Sequence, residues 1–255
     1  GFTRIKELDL SKGRNGEESL TAEQFNAIPE DVRASIKTLN IEDQDVTNFD
    51  FSGFTSLTSF KNFDLNKVTN FLCGLTATQF NVIPARIKAP VEKLEFRTND
   101  TRTWESRDID ITGFDFSGFT GLKDLNLVSA EGLTATQFNT IPLDVRDGIQ
   151  TLWLNNKDVT DFDFSGFISL ESLSLQKSEH LTAAQFNAIP EDVKTSIKNI
   201  HLFDVDVTGF DFSGFTGVEI LDLQRVRGSI LLPENIGSFT HLRDLNLSGN
   251  QSVTG

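Results

Sequence analysis

Two short motifs, each present four times, restrict this 255-residue chain to a repeating architecture. The motif LTAxQFNxIP begins at Leu20, Leu75, Leu133 and Leu181. The motif FDFSGF begins at Phe49, Phe114, Phe162 and Phe210. Both motifs advance by 48 residues from the third copy to the fourth. Such periodicity predicts stacked units, because one unit alone cannot bury its apolar face.

Runs with the pattern LxxLxL, in which L is a large apolar residue, follow both motifs. They occur at residues 5–10, 36–41, 91–96, 122–127, 149–154, 170–175, 197–202, 218–223 and 242–247. After Phe49 the pattern is blurred, and either Leu57 or Phe60 can start the run. Because apolar residues alternate in the second half of each run, the pattern predicts a short strand with one buried face.

These runs resemble the leucine-rich repeat, a unit of about 20–29 residues with LxxLxL at its strand. Residues 232–250 are similar to the plant-type repeat, with its signature LPxxIGxLxxLxxLxLSxN. The resemblance implies an α/β leucine-rich-repeat solenoid, a curved horseshoe. It would carry about ten short parallel strands on the concave face and short helices and turns on the convex face. We expect residues 1–255 to form one solenoid domain, a fragment of a longer chain with further repeats or a capping domain at both ends.

The two motifs predict different connections between strands. Thr21 and Gln24 form a capping box that opens a short helix, and the pairs Thr76/Gln79, Thr134/Gln137 and Thr182/Gln185 repeat it. The proline that follows, such as Pro190, either ends this turn or starts a new one. FDFSGF is too short for a full helix, so we expect a tight turn there, with its phenylalanines stacked as an aromatic spine.

The fifth position of each LxxLxL run points away from the core, since side chains alternate along a strand. Trp153 and His201 occupy this position and flank Ser174, which places them about 10 Å apart at standard strand spacing. Phe203 and Ile220 fall nearby. This cluster is our predicted binding site, with a rim of Asn155, Ser174 and Asp222. The alternative is a set of scattered exposed apolar residues, which is ordinary on a protein surface.

Two insertions interrupt the repeat. Ten additional residues between Phe96 and Phe114 carry Trp104 together with Arg102 and Arg107. Trp104 is a second candidate contact, because binding residues concentrate on loops held by rigid scaffolds. The alternative is a solvated loop with Trp104 folded back onto the solenoid. The insertion between Phe60 and Leu75 is rich in apolar residues, so we expect additional core there.

The sequence gives no support for catalysis, a metal or a cofactor. The three histidines are scattered, and neither a nucleophile motif nor a glycine-rich phosphate loop is present. Cys73 is the single cysteine and lies in an apolar context, which indicates a buried thiol. The aspartates of FDFSGF could form a ladder of calcium sites, but we expect them to cap turns instead.

The net charge of −14 argues against nucleic acid and anionic membranes as partners, because phosphate binding needs clustered Lys and Arg. No apolar run approaches the roughly 20 residues of a membrane-spanning helix. We therefore expect a recognition module that binds a protein or glycan ligand, as part of a cell-surface or secreted adhesin or receptor. The alternatives are a structural spacer and the substrate-recognition domain of a bacterial effector, which would be cytoplasmic.

Overall fold

A computed structural model describes residues 5–10, 20–40, 49–57, 59–61, 77–81, 83, 85–89, 91–96, 109–228, 230–231, 239–250 and 253–254. The chain divides into two compact units. Unit 1 comprises residues 1–122 and 129–133, and unit 2 comprises residues 123–128 and 134–255. That residues 1–255 form a single domain stays a prediction.

All the secondary-structure elements are short. The strands are β1 Glu7–Asp9, β2 Thr38–Asn40, β3 Ser59–Lys61, β4 Lys93–Glu95, β5 Ile109–Asp110, β6 Asp124–Asn126, β7 Ala130–Glu131, β8 Thr151–Trp153, β9 Ser172–Ser174, β10 Asn199–His201, β11 Ile220–Asp222, β12 Ile230–Leu231, β13 Asp244–Asn246 and β14 Val253–Thr254. The helices are α1 Ala22–Asn26, α2 Glu30–Ser35, α3 Ala77–Asn81, α4 Ala85–Lys88, α5 Ala135–Asn139, α6 Leu143–Arg146, α7 Ala183–Asn187 and α8 Glu191–Ser196.

The predicted parallel strands are confirmed. Among the described residues, ten three-residue strands lie in the LxxLxL runs, including the blurred one. There Phe60 pairs with Leu39, so Leu57 starts the run and Phe60 is its central residue. In unit 1 the order β1-β2-β3 forms a parallel sheet, and in unit 2 the order β13-β11-β10-β9-β8-β6 does the same. The central apolar residues of β2, β4, β6 and β8 to β11 are buried, so each of these strands forms one wall of the core, whereas Leu8 of β1 and Leu245 of β13 are only partly buried.

Two additional strand pairs were not predicted. β5 pairs with β7 in unit 1, and β12 pairs with β14 in unit 2, each through two residues. A single parallel bridge joins Asp206 to Arg227 in the same way. These pairs follow the main strands in sequence, so they belong to the connections between strands.

The helices begin where the sequence predicts. Thr21 and Thr182 form complete capping boxes, and Thr134 accepts a hydrogen bond from the Gln137 amide. The box at Thr76 lies outside the described residues. The proline of each described IP pair starts a second helix, since Pro29, Pro142 and Pro190 are the N-caps of α2, α6 and α8. A proline at this point is tolerated because the first amides of a helix have no partner within it.

FDFSGF forms the predicted tight turn, and its phenylalanines stack around one helix phenylalanine. Phe138 of α5 stacks on Phe162 at a centroid distance of 4.3 Å and contacts Phe164 and Phe167 at 5.7 and 5.5 Å. Equivalent clusters surround Phe25, Phe80 and Phe186. The predicted aromatic stacking is therefore confirmed as one four-ring cluster in each copy.

An asparagine from the LTA motif holds each FDFSGF turn. The side-chain oxygen of Asn139 accepts a hydrogen bond from the Asp163 amide at 2.7 Å. Asn26, Asn81 and Asn187 make the same contact at the same distance. The glycine of each turn has a φ of +82° to +86°, a conformation that glycine adopts without a steric penalty. The LTA motif and the FDFSGF motif that follows it therefore pack against each other, although they are far apart in sequence.

A buried cation also joins the two motifs. The guanidinium of Arg146 is 2% exposed and donates to the carbonyl oxygens of Asn139, Ile141 and Ser165 at 2.6–2.8 Å. It also lies 5.4 Å from the centre of the Phe167 ring. Lys88 and Lys194 occupy the equivalent position, where their ammonium groups contact a backbone carbonyl and a phenylalanine ring. Burial lowers the pKa of Lys88, and the nearby Asp115 carboxylate partly opposes this effect.

Replacing this cation by an apolar side chain should destabilise unit 2. Arg146→Met leaves several buried carbonyls without a donor, so we expect it to lower the free energy of unfolding by about 3 kcal/mol or more. Arg146→Lys should cost less than half as much, because lysine occupies the same position in two other copies. Denaturant unfolding of the two variants and the unsubstituted chain measures the difference. Equal stability of the Met and Lys variants would contradict this role of the charge.

Candidate functional site

The parallel register of unit 2 aligns the fifth positions of its strands in one row. Trp153 of β8 pairs with Ser174 of β9, Ser174 pairs with His201 of β10, and His201 pairs with Asp222 of β11. We call these four residues the Trp153 row. Asn126 and Asn246 flank it on β6 and β13. The structure therefore brings four of the predicted site residues together on one face of the sheet.

The two large rings of the row lean towards each other. The centroids of Trp153 and His201 are 6.3 Å apart and their planes differ by 11°, whereas strand spacing alone predicts about 10 Å. Ser174 between them is 1% exposed, so its predicted position at an exposed rim is wrong. Because the side chain of Ser174 is small, the rings of Trp153 and His201 can lean over it and cover it. Both rings remain partly exposed.

Asn155 is held within the loop that follows β8. Its side-chain oxygen accepts hydrogen bonds from the Ser174 hydroxyl at 2.6 Å and from the Gln176 amide at 3.1 Å. The predicted rim residue therefore fixes the floor of the site and the start of the next loop.

His201 and Asp222 form the polar end of the row. The Nδ1 atom of His201 lies 4.0 Å from Oδ2 of Asp222, which is too long for a hydrogen bond. Burial lowers the pKa of His201 below its ordinary value of 6.5, and the Asp222 carboxylate raises it only in part. Burial therefore favours the neutral imidazole. Oδ1 of Asp222 accepts a hydrogen bond from the Gln224 amide at 3.1 Å, and this contact orients the carboxylate.

The other predicted residues lie around the row. Phe203 is partly exposed and carries the Lys177 ammonium over its ring at 5.8 Å. Ile220 pairs with Asn199, two residues before His201 and Asp222 along the strands, and is half-buried. Trp104 and the rest of its loop lie outside the described residues, as does Cys73.

The recurring aspartates cap turns, as predicted. Oδ1 of Asp163 accepts from the Ser165 amide at 2.9 Å, and Oδ2 accepts from the Ser165 hydroxyl at 2.7 Å. These hydrogen bonds lower the pKa of Asp163. In the part of the chain that the structure describes, no group of three or more His, Cys, Asp or Glu side chains is arranged to hold a metal ion.

A polar surface cavity was missed by the sequence analysis. It has a volume of about 510 Å³ and lies in the turns that follow β8, β9 and β10, where it is lined by Asn156, Lys157, Asp158, Lys177, Glu179, His180 and Asp204. Asn156, Lys177 and Asp204 have a positive φ, which opens these turns. Lone turn residues give no periodic signal, so the pattern of apolar residues does not reveal such a cavity.

The pKa of His201 is a direct test of this geometry. We expect a value below 6.5, and a further decrease in Asp222→Asn because that variant removes the nearby negative charge. His201 then binds a proton more readily in the unfolded chain than in the folded one. The free energy of unfolding therefore falls as the pH decreases from 6.5 through the pKa of His201 in the folded chain.

Nuclear magnetic resonance of the imidazole signals measures this pKa, with His180→Ala and His241→Ala used for assignment. Asp244→Asn is the matched control, since it removes the same charge from the neighbouring strand β13. A value at or above 6.5, or equal effects of the two substitutions, would contradict the described burial and contact.

No protein-family model matches the chain, and no curated protein matches it. Among solved structures, it is similar to the leucine-rich-repeat protein LIC12759 of Leptospira interrogans, with 18% identity, a TM-score of 0.49, and coverage of 99% of this chain and 63% of that one. It is also similar to the leucine-rich-repeat-containing protein LegL7 of Legionella pneumophila, with 12% identity, a TM-score of 0.28, and coverage of 93% and 89%. The chain thus spans less than two thirds of the Leptospira protein's length.

Among the described residues, no helix is long and apolar enough to cross a membrane. The fold assignment rests on the repeats of the chain itself. In unit 2 each described LxxLxL run forms a three-residue strand that pairs in parallel with the next, and capped helices or tight turns connect the strands from β6 to β11. The described units therefore have the fold of the leucine-rich repeat.

Proposed function

We propose that this chain is a recognition module that binds a protein ligand through the exposed face of strands β8 to β11, as part of a cell-surface or secreted adhesin or receptor. The observation that carries the proposal is the Trp153 row. Two parallel, partly exposed rings stand beside a carboxylate on a sheet face whose other fifth positions are small or polar. Tryptophan is enriched among the residues that dominate binding energy at protein interfaces.

The repeat itself does not require these rings. Asn126, Ser174 and Asn246 occupy the same strand position in neighbouring repeats, so a small polar side chain is sufficient for the fold. Trp153 and His201 instead leave apolar area in contact with water. When a ligand buries this apolar area, the free energy of binding gains about 25 cal/mol for each Å² removed from water.

The rigidity of the face favours binding further. Parallel pairing fixes the backbone of all four strands, and the Ser174–Asn155 hydrogen bond fixes the floor beneath the rings. A ligand then loses little binding energy to the ordering of the site, because side chains that are already ordered pay less entropy on association.

Removal of the Trp153 ring should abolish most of the binding. Peptides selected on the unsubstituted chain from a displayed library of random sequences should bind Trp153→Ala at least tenfold more weakly, a difference of about 1.4 kcal/mol. Titration calorimetry or fluorescence anisotropy measures the affinities. The melting temperature should change little, since the ring lies outside the core.

Leu143→Ala is the matched control. Leu143 is 66% exposed and lies in helix α6, away from the sheet, so its truncation removes a comparable apolar surface at another place. Its peptide affinity should equal that of the unsubstituted chain. Undiminished binding by Trp153→Ala would contradict the proposal. If binding is lost only when residues 97–107 are shortened, the Trp104 loop is the site instead.

A further inference from the structure

We infer that the Trp153 row takes an arginine side chain of the partner polypeptide. This inference rests on the proposed function and adds the chemistry of the ligand to it. Four features of unit 2 support it: the charge of the face, the spacing of the rings, the position of the Asp222 carboxylate, and the absence of a resident cation over Trp153.

The face around the row is acidic. The third and fifth positions of the six strands of unit 2 carry three carboxylates, Asp124, Asp222 and Asp244, and no lysine or arginine. Three basic residues, Lys123, Lys198 and Arg243, lie just before these positions, and two of them form ion pairs with glutamates. Lys198 contacts Glu171 at 2.7 Å, and Arg243 contacts Glu219 at 3.4 Å. A cationic ligand therefore meets favourable charge here, and an anionic one is disfavoured.

The two rings offer separate surfaces for the two parts of an arginine side chain. The indole of Trp153 is an apolar support for the methylene stem. The imidazole of His201, 6.3 Å away and nearly parallel, is a flat surface on which a guanidinium can stack. This separation is comparable to the length of an extended arginine side chain.

Asp222 lies where the guanidinium can pair with it. Its Oδ2 atom is 4.0 Å from Nδ1 of His201 and accepts no hydrogen bond from the described residues. A guanidinium stacked on His201 would therefore place an N–H group within reach of this oxygen. Because burial lowers the pKa of His201, the neutral imidazole is favoured, which reduces its repulsion of the cation.

In the part of the chain that the structure describes, the cations of unit 2 that contact an aromatic ring lie over rings other than Trp153. Elsewhere in unit 2, Arg146, Lys177 and Lys194 lie over the rings of Phe167, Phe203 and Phe215. Among the described residues, no lysine or arginine lies over the Trp153 ring, although indole is the strongest cation-binding side chain. The partly exposed Trp153 ring can therefore support the stem of a partner arginine whose guanidinium lies at His201 and Asp222.

The probe for this inference is the capped tripeptide acetyl-Gly-Arg-Gly-amide, with its lysine and citrulline analogues as controls. Citrulline has nearly the same shape as arginine but no charge. Each peptide is titrated into the full ¹⁵N-labelled chain, and the indole N–H signal of Trp153 is followed, with Trp104→Phe used for assignment. We expect saturable shifts with the arginine peptide, at least threefold weaker binding of lysine, and no saturation with citrulline.

Two charge-matched variants separate the site from general attraction to an acidic protein. Asp222→Asn should weaken binding of the arginine peptide at least fivefold, and Asp244→Asn less than twofold. Equal effects of the two variants, equal binding of citrulline, or an unchanged Trp153 signal would each overturn the inference. If library peptides still require Trp153 in that case, the proposed function stands and the partner has another chemistry.

Discussion

The packing of the two motifs depends on a cation that leaves the second helix of each copy, buried at Lys88, Arg146 and Lys194 and partly exposed at Arg33. Arg146 leaves a helix, crosses the face of Phe167 and donates to carbonyls of both the LTA and the FDFSGF segments. These carbonyls have no partner in a regular helix or sheet, and a buried carbonyl without a donor costs about 1–3 kcal/mol. One side chain therefore satisfies several groups at once and joins the two motifs. The parallel register of the sheet is fixed by the pairing of consecutive strands.

The Trp153 row is a consequence of this fixed register. When consecutive strands pair residue for residue, their fifth positions must form a line, and the side chains there can differ without disturbing the core. Ser174 is small enough to let the rings of Trp153 and His201 approach over it. A larger residue at that position would keep the rings apart. The site thus arises from the variation of three neighbouring repeats on a uniform scaffold.

The sequence predicted the strands, the helix caps and the tight turns because each depends on local pattern. Alternation in LxxLxL assigned Trp153 and His201 to the exposed face, and the register placed them in one row. The predicted distance between the rings, about 10 Å from strand spacing, was too long, because the tilt of the two side chains depends on the volume of the residue between them. The buried role of Arg146 was missed because a charged residue on a short helix is usually exposed. Its partners lie in another motif, and only packing reveals them.

The chain therefore uses one type of interaction in two places. Inside three of the copies, a cation lies over a phenylalanine ring and donates hydrogen bonds to backbone carbonyls. On the sheet face, a pair of rings and a carboxylate are arranged without a resident cation over Trp153 among the described residues. In the core, the local sequence supplies every component, and the interaction stabilises the fold. On the face, the ring and the acceptor are present and exposed to solvent. The same physical preference that closes the core thus favours a charged group of a second molecule at the surface.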